Sequence, residues 1–370
     1  MHLDLNIGKC TDSTQRNSYF CAMGEHEKFM KRCLELASAG LGTTYPNPIV
    51  GSVIVHDGKI IGEGWHRKAG DAHAEVNAVN SVKDKSLLKK STIYVTLEPC
   101  SHFGKTPPCC DLIIENNIPN VVVGCVDPNE KVAGKGIAKL VASGKNVTVG
   151  ILEKECAEGN KRFFTFQNKK RPYVILKWAQ SHDGYIGPAR KQKAEPVWLT
   201  NAHSRQLVHK WRTEEHAILV GTQTAIDDNP SLTARDWYGN NPIRFVLDRS
   251  HRIPMENHIF DNQAKTIAIS EHPIAGIETG IVSFGENLAR HICDALFSQD
   301  VQSVIVEGGR QLLQTFIDAG LWDEARVLAS KTMLGDGTEA PVFARNPQQR
   351  HDISGDELLI YRNYDQHDNL

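Results

Sequence analysis

Apolar positions along the chain follow two rhythms, one helical and one extended. In HEKFMKRCLELASAG, Phe29, Cys33 and Leu36 or Ala37 recur at helical spacing, and Gly40 stops the run. NPIVGSVIVHDGKIIGEGW instead carries two apolar stretches around Asp57-Gly58, the mark of a β-hairpin. AHAEVNAVNSV then reads as helix, STIYVTLEP as strand, CCDLIIENN as helix and NVVVGCV as strand. GKGIAKLVASG and NVTVGIL continue the alternation as helix and strand. Such alternation predicts an α/β domain in three layers. NKRFFTFQNKKRP breaks the rhythm with a basic, proline-ended stretch, which predicts a boundary near residue 170. Strands recur beyond it in YVILKWA, HAILVG, IRFVLD, KTIAIS, SVIVEGG, EARVLAS and LLIYRNY, several of them separated by helical stretches such as NAHSRQLVHKWRTE and RQLLQTFIDAG. The expected domains are 23–168 and 169–370, both α/β. Residues 1–22 lack either rhythm and read as a flexible extension ahead of a helix that opens at Met23.

A length of 370 residues is too long for one ordinary core, which agrees with two domains. The chain is 40% hydrophobic and 23% charged, with a formal net charge of -2. No basic excess is present, which argues against a dedicated nucleic-acid binder. No apolar run approaches the roughly 18 residues of a membrane span, and the N-terminus has no apolar signal region. The expectation is a chain of the reducing cytoplasm, with neither nucleic-acid nor membrane partner. Its nine cysteines are then ligands or small buried hydrophobes rather than disulfides.

Several of those cysteines gather with histidine. PCSHFGKTPPCC, residues 99–110, follows HAEVNAV, residues 73–79. A catalytic zinc takes three protein ligands and keeps its fourth position open. His73 opens a helix, Cys100 closes a strand, and a cysteine at the start of the next helix completes three. Pro107-Pro108 pre-sets that helix, so Cys109 or Cys110 sits where a thiolate is stabilised. Cys109 is the expected ligand, being nearer the helix mouth and sharing a face with Leu112 and Ile113, the face expected to pack toward the sheet. Glu75, two residues after His73, is not a ligand on this reading. Its carboxylate takes a proton from the attacking water and hands it to a leaving nitrogen. H-x-E followed by Pro-Cys and a second cysteine is the zinc-deaminase pattern. The eight residues between Cys100 and Cys109 depart from its usual two. That longer loop carries Ser101, His102, Lys105 and Thr106, groups suited to a phosphate or a polar small molecule.

The motifs PNPIVGSVIV, GEGWHRKAGDAHAEVNA, YVTLEPCSHFGKTPPCCDLII and GCVDPN resemble the deaminase half of the bifunctional riboflavin-biosynthesis deaminase–reductase family. KWAQSHDGYI, HAILVGTQTAIDDNPSLTAR, IRFVLDRSHRIP and VEGGRQLLQTFIDAGLWDE resemble its reductase half, in the family's order over residues 24 to 366. The resemblance implies a cytidine-deaminase-like three-layer α/β/α domain followed by a dihydrofolate-reductase-like α/β domain. It implies zinc on His73, Cys100 and Cys109, a proton shuttle on Glu75, and substrate contacts at Asn47, His66 and Lys105. Two reactions on one phosphoribosylated pyrimidine follow: loss of a ring amino group as ammonia, then reduction of the ribose by NADPH to a ribityl chain. Members of the family often associate, so a homo-oligomer is left open.

The second half lacks G-x-G-x-x-G, so its cofactor site is not of Rossmann type by fingerprint. Gly308-Gly309 follows the strand SVIVE and opens a helix, where amides can face a pyrophosphate. Lys177 and Asp228 are the groups expected to assist hydride transfer to the opened ribose. Arg212 and Arg235 are candidates for the substrate phosphate, since a planar guanidinium matches phosphate oxygens. The resemblance also implies Leu232 and Glu307 on the substrate side. On the cofactor side the resemblance implies Ala179, Trp198, Thr200, Thr224, Asp228, Arg249 and Ser250, the last pair for a 2′-phosphate. Pro196 stands where the family usually has a serine, which removes one expected substrate hydroxyl. Two other readings compete. One is a nucleobase or tRNA deaminase with an unrelated C-terminal domain, and the other is a binding module with structural zinc, for which His102 or Cys110 would be a fourth ligand.

Overall fold

The computed structural model describes residues 13–103, 107–129, 133–189 and 197–363. The chain divides into two compact units. One runs to Gly40 and takes in Pro48–Asn160, and the other joins Leu41–Asn47 to the chain from Lys161 onward.

In the first unit, helix α1 (Ser13–Ser38) leads into a hairpin of β1 (Gly51–His56) and β2 (Lys59–Trp65). There follow α2 (Ala74–Ser81), β3 (Thr92–Leu97), α3 (Cys109–Glu115), β4 (Asn120–Cys125), α4 (Lys135–Ala142), β5 (Asn146–Val149) and α5 (Glu153–Gly159). The sheet order is β2-β1-β3-β4-β5, antiparallel across β1 and parallel from β3 to β5. Asp57 and Gly58 both have positive φ, 46° and 69°, as the tightest hairpin turn requires, so the turn residues set the β1–β2 register. Ile54, Ile93, Val95, Val121 and Val123 alternate onto one face of this sheet and are buried against Ala78, Val79, Ile113 and Leu140 from helices.

The second unit contains α6 (Lys161–Lys169), β6 (Tyr173–Gln180), β7 (Tyr185–Gly187), α7 (Ala202–Glu214), β8 (Ala217–Val220), α8 (Thr222–Asp228) and β9 (Ile243–Leu247). It continues with β10 (Thr266–Ser270), β11 (Glu278–Ile281), α9 (Leu288–Ser298), β12 (Ser303–Glu307), α10 (Arg310–Asp318), β13 (Glu324–Ala329), β14 (Thr338–Glu339), β15 (Gln349–Ile353) and β16 (Asp356–Arg362). Its main sheet runs β11-β10-β9-β8-β12-β6-β13-β16-β15, parallel through to β13 and antiparallel beyond. Along β6 the period of two divides the core. Val174, Leu176 and Trp178 enter one buried cluster, and Tyr173 and Ile175 enter the other, so helices cover both faces. Among the described residues no helix is long and apolar enough to cross a membrane.

Three expectations are corrected. NKRFFTFQNKKRP, read as a break in the rhythm, forms α6 with Phe163 and Phe166 buried, and the compact units divide after Asn160, ahead of the expected boundary near residue 170. Dense basic charge hides the i,i+3 spacing of those phenylalanines. Helix α1 begins at Ser13, not Met23. Once a packed stretch nucleates a helix each further residue adds at little cost, and 13–22 contains no proline or glycine to halt it. The rest of the expected extension, 1–12, lies outside the described residues. The strands β7, β11, β14 and β15 went unread because they are short, polar or at sheet edges, where no apolar alternation is needed.

Candidate active sites

The first unit brings His73, Cys100 and Cys109 together, with their ligand atoms within 4.8 Å of one another. His73 caps α2, Cys100 lies just past β3, and Cys109 opens α3, so three element ends converge on one point. His73 Nδ1 is 3.3 Å from Cys109 Sγ and 3.6 Å from Cys100 Sγ. A tetrahedral zinc with ordinary bond lengths separates such nitrogen and sulfur ligands by about 3.6 Å. One imidazole and two thiols with that spacing fit zinc. The Cys109 amide donates to Cys100 Sγ at 3.3 Å, so the α3 terminus serves the neighbouring sulfur rather than its own. Hydrogen bonds from Cys109 pull the Cys100 thiol down to about 4, with His73 adding to the effect. Burial lowers the proton affinity of His66, whose ring meets that of His73 edge-on at 5.5 Å between centroids.

Glu75 is 3% exposed, and burial first, then the Cys100 sulfur, pushes its carboxyl up to about 7. Cys110 turns away from this group: its thiol donates to Pro99 O at 3.3 Å and Gly136 O at 3.5 Å. The packing argument for Cys109 is therefore corrected, because Cys110 joins Ile113 in the core while Cys109 points toward His73. Two carboxylates near the group went unread. Glu98 accepts from the amides of Gly134, Gly136, Ile137 and Asp127, tying the chain after β4 to the strand end that carries Cys100. Burial raises Asp127 to about 6, and Glu98 contributes. The only signal for Glu98 was its place two residues before Cys100. Asn47 groups with the second unit, where its amide donates to Thr44 O. Lys105 and Thr106 lie outside the described residues.

The second unit contains a cleft of about 1180 Å³ at the ends of β6, β8 and β12. It brings together Lys177, Arg212, Asp228, Leu232, Arg235 and Glu307, and with them Ala179, Trp198, Thr200, Thr224, Gly308 and Gly309. At its floor Arg212 grips Glu307 through two nitrogens, at 3.0 and 3.3 Å, and gives a third bond to Thr233 O. Lys177 Nζ lies 3.7 Å from the same carboxylate. Burial alone would raise Glu307, but Arg212 and Lys177 hold it down to about 2. Burial lowers Lys177. Arg235 is exposed at the cleft. Sequence had no means of telling these two arginines apart: Arg212 is paired with the buried Glu307, whereas Arg235 is exposed.

Gly309 N donates to Thr224 Oγ1 at 2.9 Å, and Gly308 has φ +133°, where any Cβ would press on Thr224 at 3.0 Å. Gly308 is thus a position that only glycine fills, leaving at the start of α10 a backbone opening that fits a pyrophosphate, while the Gly309 amide is already given to Thr224. Arg249 and Ser250 do not line the cleft. Arg249 pairs with Glu271 at 2.9 Å, a partner in the next turn along the sheet that sequence spacing does not reveal. Pro196 lies outside the described residues. The reading missed His209 and Gln223, which also line the cleft. His209 had a signal, one helical turn before Arg212 on α7.

Residues 23–125 match the family model for the cytidine and deoxycytidylate deaminase zinc-binding region, and residues 172–355 match that for the RibD C-terminal domain. A riboflavin biosynthesis protein RibD from Aquifex aeolicus is 40% identical over 321 residues, which is 84% of this chain and 88% of that protein. This chain belongs to the RibD family. A crystal structure of a diaminohydroxyphosphoribosylaminopyrimidine deaminase/5-amino-6-(5-phosphoribosylamino)uracil reductase from Thermotoga maritima superposes with a TM-score of 0.83 at 36% identity, covering 92% of this chain and 99% of that one. Acinetobacter baumannii RibD gives 0.82 at 33% identity, covering 91% and 98%. As a RibD-family chain it is a two-domain riboflavin-biosynthesis enzyme, a zinc-type deaminase domain followed by a reductase domain. The reading with an unrelated C-terminal domain is set aside by the match over 172–355.

Proposed function

We propose that the chain carries out two successive steps on one phosphoribosylated pyrimidine. The first unit removes a ring amino group of diaminohydroxyphosphoribosylaminopyrimidine as ammonia. The second reduces the ribosyl group of the product, 5-amino-6-(5-phosphoribosylamino)uracil, to ribityl with NADPH. Both reactions are those in the name of the Thermotoga maritima protein. The observation that carries the reading is the convergence of His73 Nδ1, Cys100 Sγ and Cys109 Sγ near a buried Glu75.

His73, Cys100 and Cys109 would hold the zinc, which when bound supplies a Lewis acid that acidifies the attacking water. Glu75 takes the proton released as water adds to the ring carbon, and returns it to the departing nitrogen. His66 and Lys105 are the substrate contacts of this unit, with Asn47 assigned to the same substrate by motif. In the second unit NADPH would lie along Gly308, Gly309, Thr224, Thr200 and Trp198, and when bound it supplies a hydride. As the ribose opens, its anomeric carbon accepts that hydride and the released ring oxygen needs a proton. Lys177 Nζ supplies the proton, its charge weakened by burial and oriented by Glu307. Asp228 faces the same reaction, and Arg235 takes the phosphate. The described cysteines are free thiols, which suits a reducing cytoplasm.

Purified protein given the diaminopyrimidine phosphate is expected to release ammonia without NADPH and to form ribityl product only with it. Ammonia release that requires NADPH, or NADPH oxidation without a ribityl product, would overturn the assignment.

A further inference from the structure

Trp198 and Thr200 line the second-unit cleft from chain without regular structure, since residues 197–200 form neither helix nor strand. Trp198 is 56% exposed there, whereas Leu199 and Thr200 are buried. An indole that open, on irregular backbone, has several orientations available to it. Each orientation given up on ligand binding costs affinity, so a contact that fixes the ring beforehand favours the bound state.

Two attachments hold this stretch. At the root of α7, Asn201 Oδ1 accepts from Ser204 N at 3.0 Å, and Asp356 of β16 accepts from Asn201 N at 2.8 Å and from Ser204 Oγ at 2.6 Å. That anchor acts on the backbone just after Thr200. The other attachment is Arg205, in the first turns of α7, half-buried and itself in the cleft wall. Its guanidinium carbon lies over the Trp198 ring, 4.9 Å from the centroid, and its Nη1 donates to Thr200 O at 2.8 Å. A guanidinium is planar, so it stacks through its face and donates from its edge at the same time. One side chain thereby ties the Trp198 ring to the Thr200 carbonyl. Lysine, a point charge on a flexible stem, serves one of these partners but not both. We infer that Arg205 is a positioning residue of the reductase cleft, clamping Trp198 and Thr200 in the orientation that receives NADPH. This role presupposes the reductase reading, which places Trp198 and Thr200 on the cofactor side, and adds the residue that sets them there.

Two substitutions separate a clamp from a ligand contact. Steady-state reduction of 5-amino-6-(5-phosphoribosylamino)uracil by NADPH is the assay, on the full chain. Arg205→Lys keeps the charge and breaks the clamp. It is expected to raise KM for NADPH about fivefold, the scale of one cation–ring contact or hydrogen bond, with KM for the pyrimidine unchanged. Trp198→Ala is expected to raise KM for NADPH about tenfold. Because Arg205 acts through that ring, the double variant should stay within about twofold of Trp198→Ala alone. An unchanged KM for NADPH in Arg205→Lys overturns the clamp, since a charge would then suffice. So do effects that add in the double variant, which would make Arg205 an independent ligand contact, and so does a rise confined to KM for the pyrimidine.

A spectroscopic readout serves where the double variant folds poorly. In the unsubstituted chain labelled with fluorotryptophan, the Trp198 resonance, assigned by its loss in Trp198→Phe, is expected to be single and to move on saturation with NADP+. In Arg205→Lys the same resonance is expected to broaden or split before any cofactor is added. A Trp198 resonance indifferent to the cofactor, or identical in the two chains, overturns the role. Should the unsubstituted chain fail to reduce this pyrimidine at all, the reductase reading falls. Should it reduce the pyrimidine while Arg205→Lys behaves identically, only the role of Arg205 falls.

Discussion

In the first unit, His73, Cys100 and Cys109 come from the ends of consecutive elements within one short span of chain. In the second, Lys177, Arg212, Asp228 and Glu307 come from β6, α7, α8 and β12 and meet only across a parallel sheet. Each site contains a buried glutamate, and the two behave in opposite ways. Glu75 is 3% exposed and rises to about 7, because burial acts on it with a thiolate close by. Glu307 is 8% exposed and falls to about 2, because a guanidinium and an ammonium outweigh the same burial. Burial sets how strongly neighbours act, and the sign of their charge decides the outcome. The first carboxyl is therefore suited to carrying a proton, and the second to holding two cations in place.

The strongest way to break this comparison is to remove a ligand. His73→Ala, Cys100→Ser or Cys109→Ser should each empty a site holding about one zinc per chain and abolish ammonia release. NADPH-dependent reduction of pre-formed deaminated pyrimidine should persist. Cys110→Ser is the control and should keep metal and deamination alike. Metal content alongside ammonia assay checks this, and zinc lost only from the Cys110 variant would reverse the ligand choice.

Glu75→Gln comes next. It should retain zinc while deamination falls by at least about 10²-fold, the scale of a lost general acid–base. Reduction should be nearly unchanged, and an equal loss of both activities would mean that the two chemistries share a site.

The two cleft arginines sharpen the contrast within the second unit. Arg235→Ala should raise KM for the phosphorylated pyrimidine by one charged hydrogen bond, roughly 1.5–3 kcal/mol, with kcat little changed. Arg212→Ala should instead lower kcat and thermal stability together, because it strips a buried Glu307 of its two-pronged partner. Matching kinetic effects in both variants would erase the distinction drawn from their partners.

The smallest effect is a pH dependence of the second unit. His216 stacks on Tyr45 at 4.5 Å and accepts from Gln302 N at Nδ1, and burial lowers it to about 4. Its folded pKa lies below the unfolded value near 6.5, so the unfolded chain binds the proton first. Stability from this group is complete above about 6.5 and declines as pH falls toward 4, by about 1–3 kcal/mol. Urea unfolding at pH 7 and pH 4.5 should show a smaller acid loss in His216→Phe than in the unsubstituted chain.

Legibility followed sequence separation. The hairpin at Asp57-Gly58, the β6 and β12 strands and the H-A-E/P-C pair could be read directly, because each is governed by neighbours a few residues away. The charged helix α6 and the polar edge strand β15 could not, since packing partners far along the chain stabilise them. The same division ran through the sites. Glu98 is an ordinary residue in sequence, and it acquires its role only from the amides that folding brings to it.

The amino-acid sequence by itself determined the two α/β units, the zinc-ligand types and the glycine pair at Gly308-Gly309, because residue chemistry and short-range spacing suffice for these. Tertiary structure alone decided where each adjacent cysteine points, which arginine pairs with Glu307, and which buried glutamate is raised in proton affinity and which lowered. Those choices depend on the direction of a side chain and on the charges within a few ångströms of it. Both are properties of packing, and no local pattern of residues encodes them.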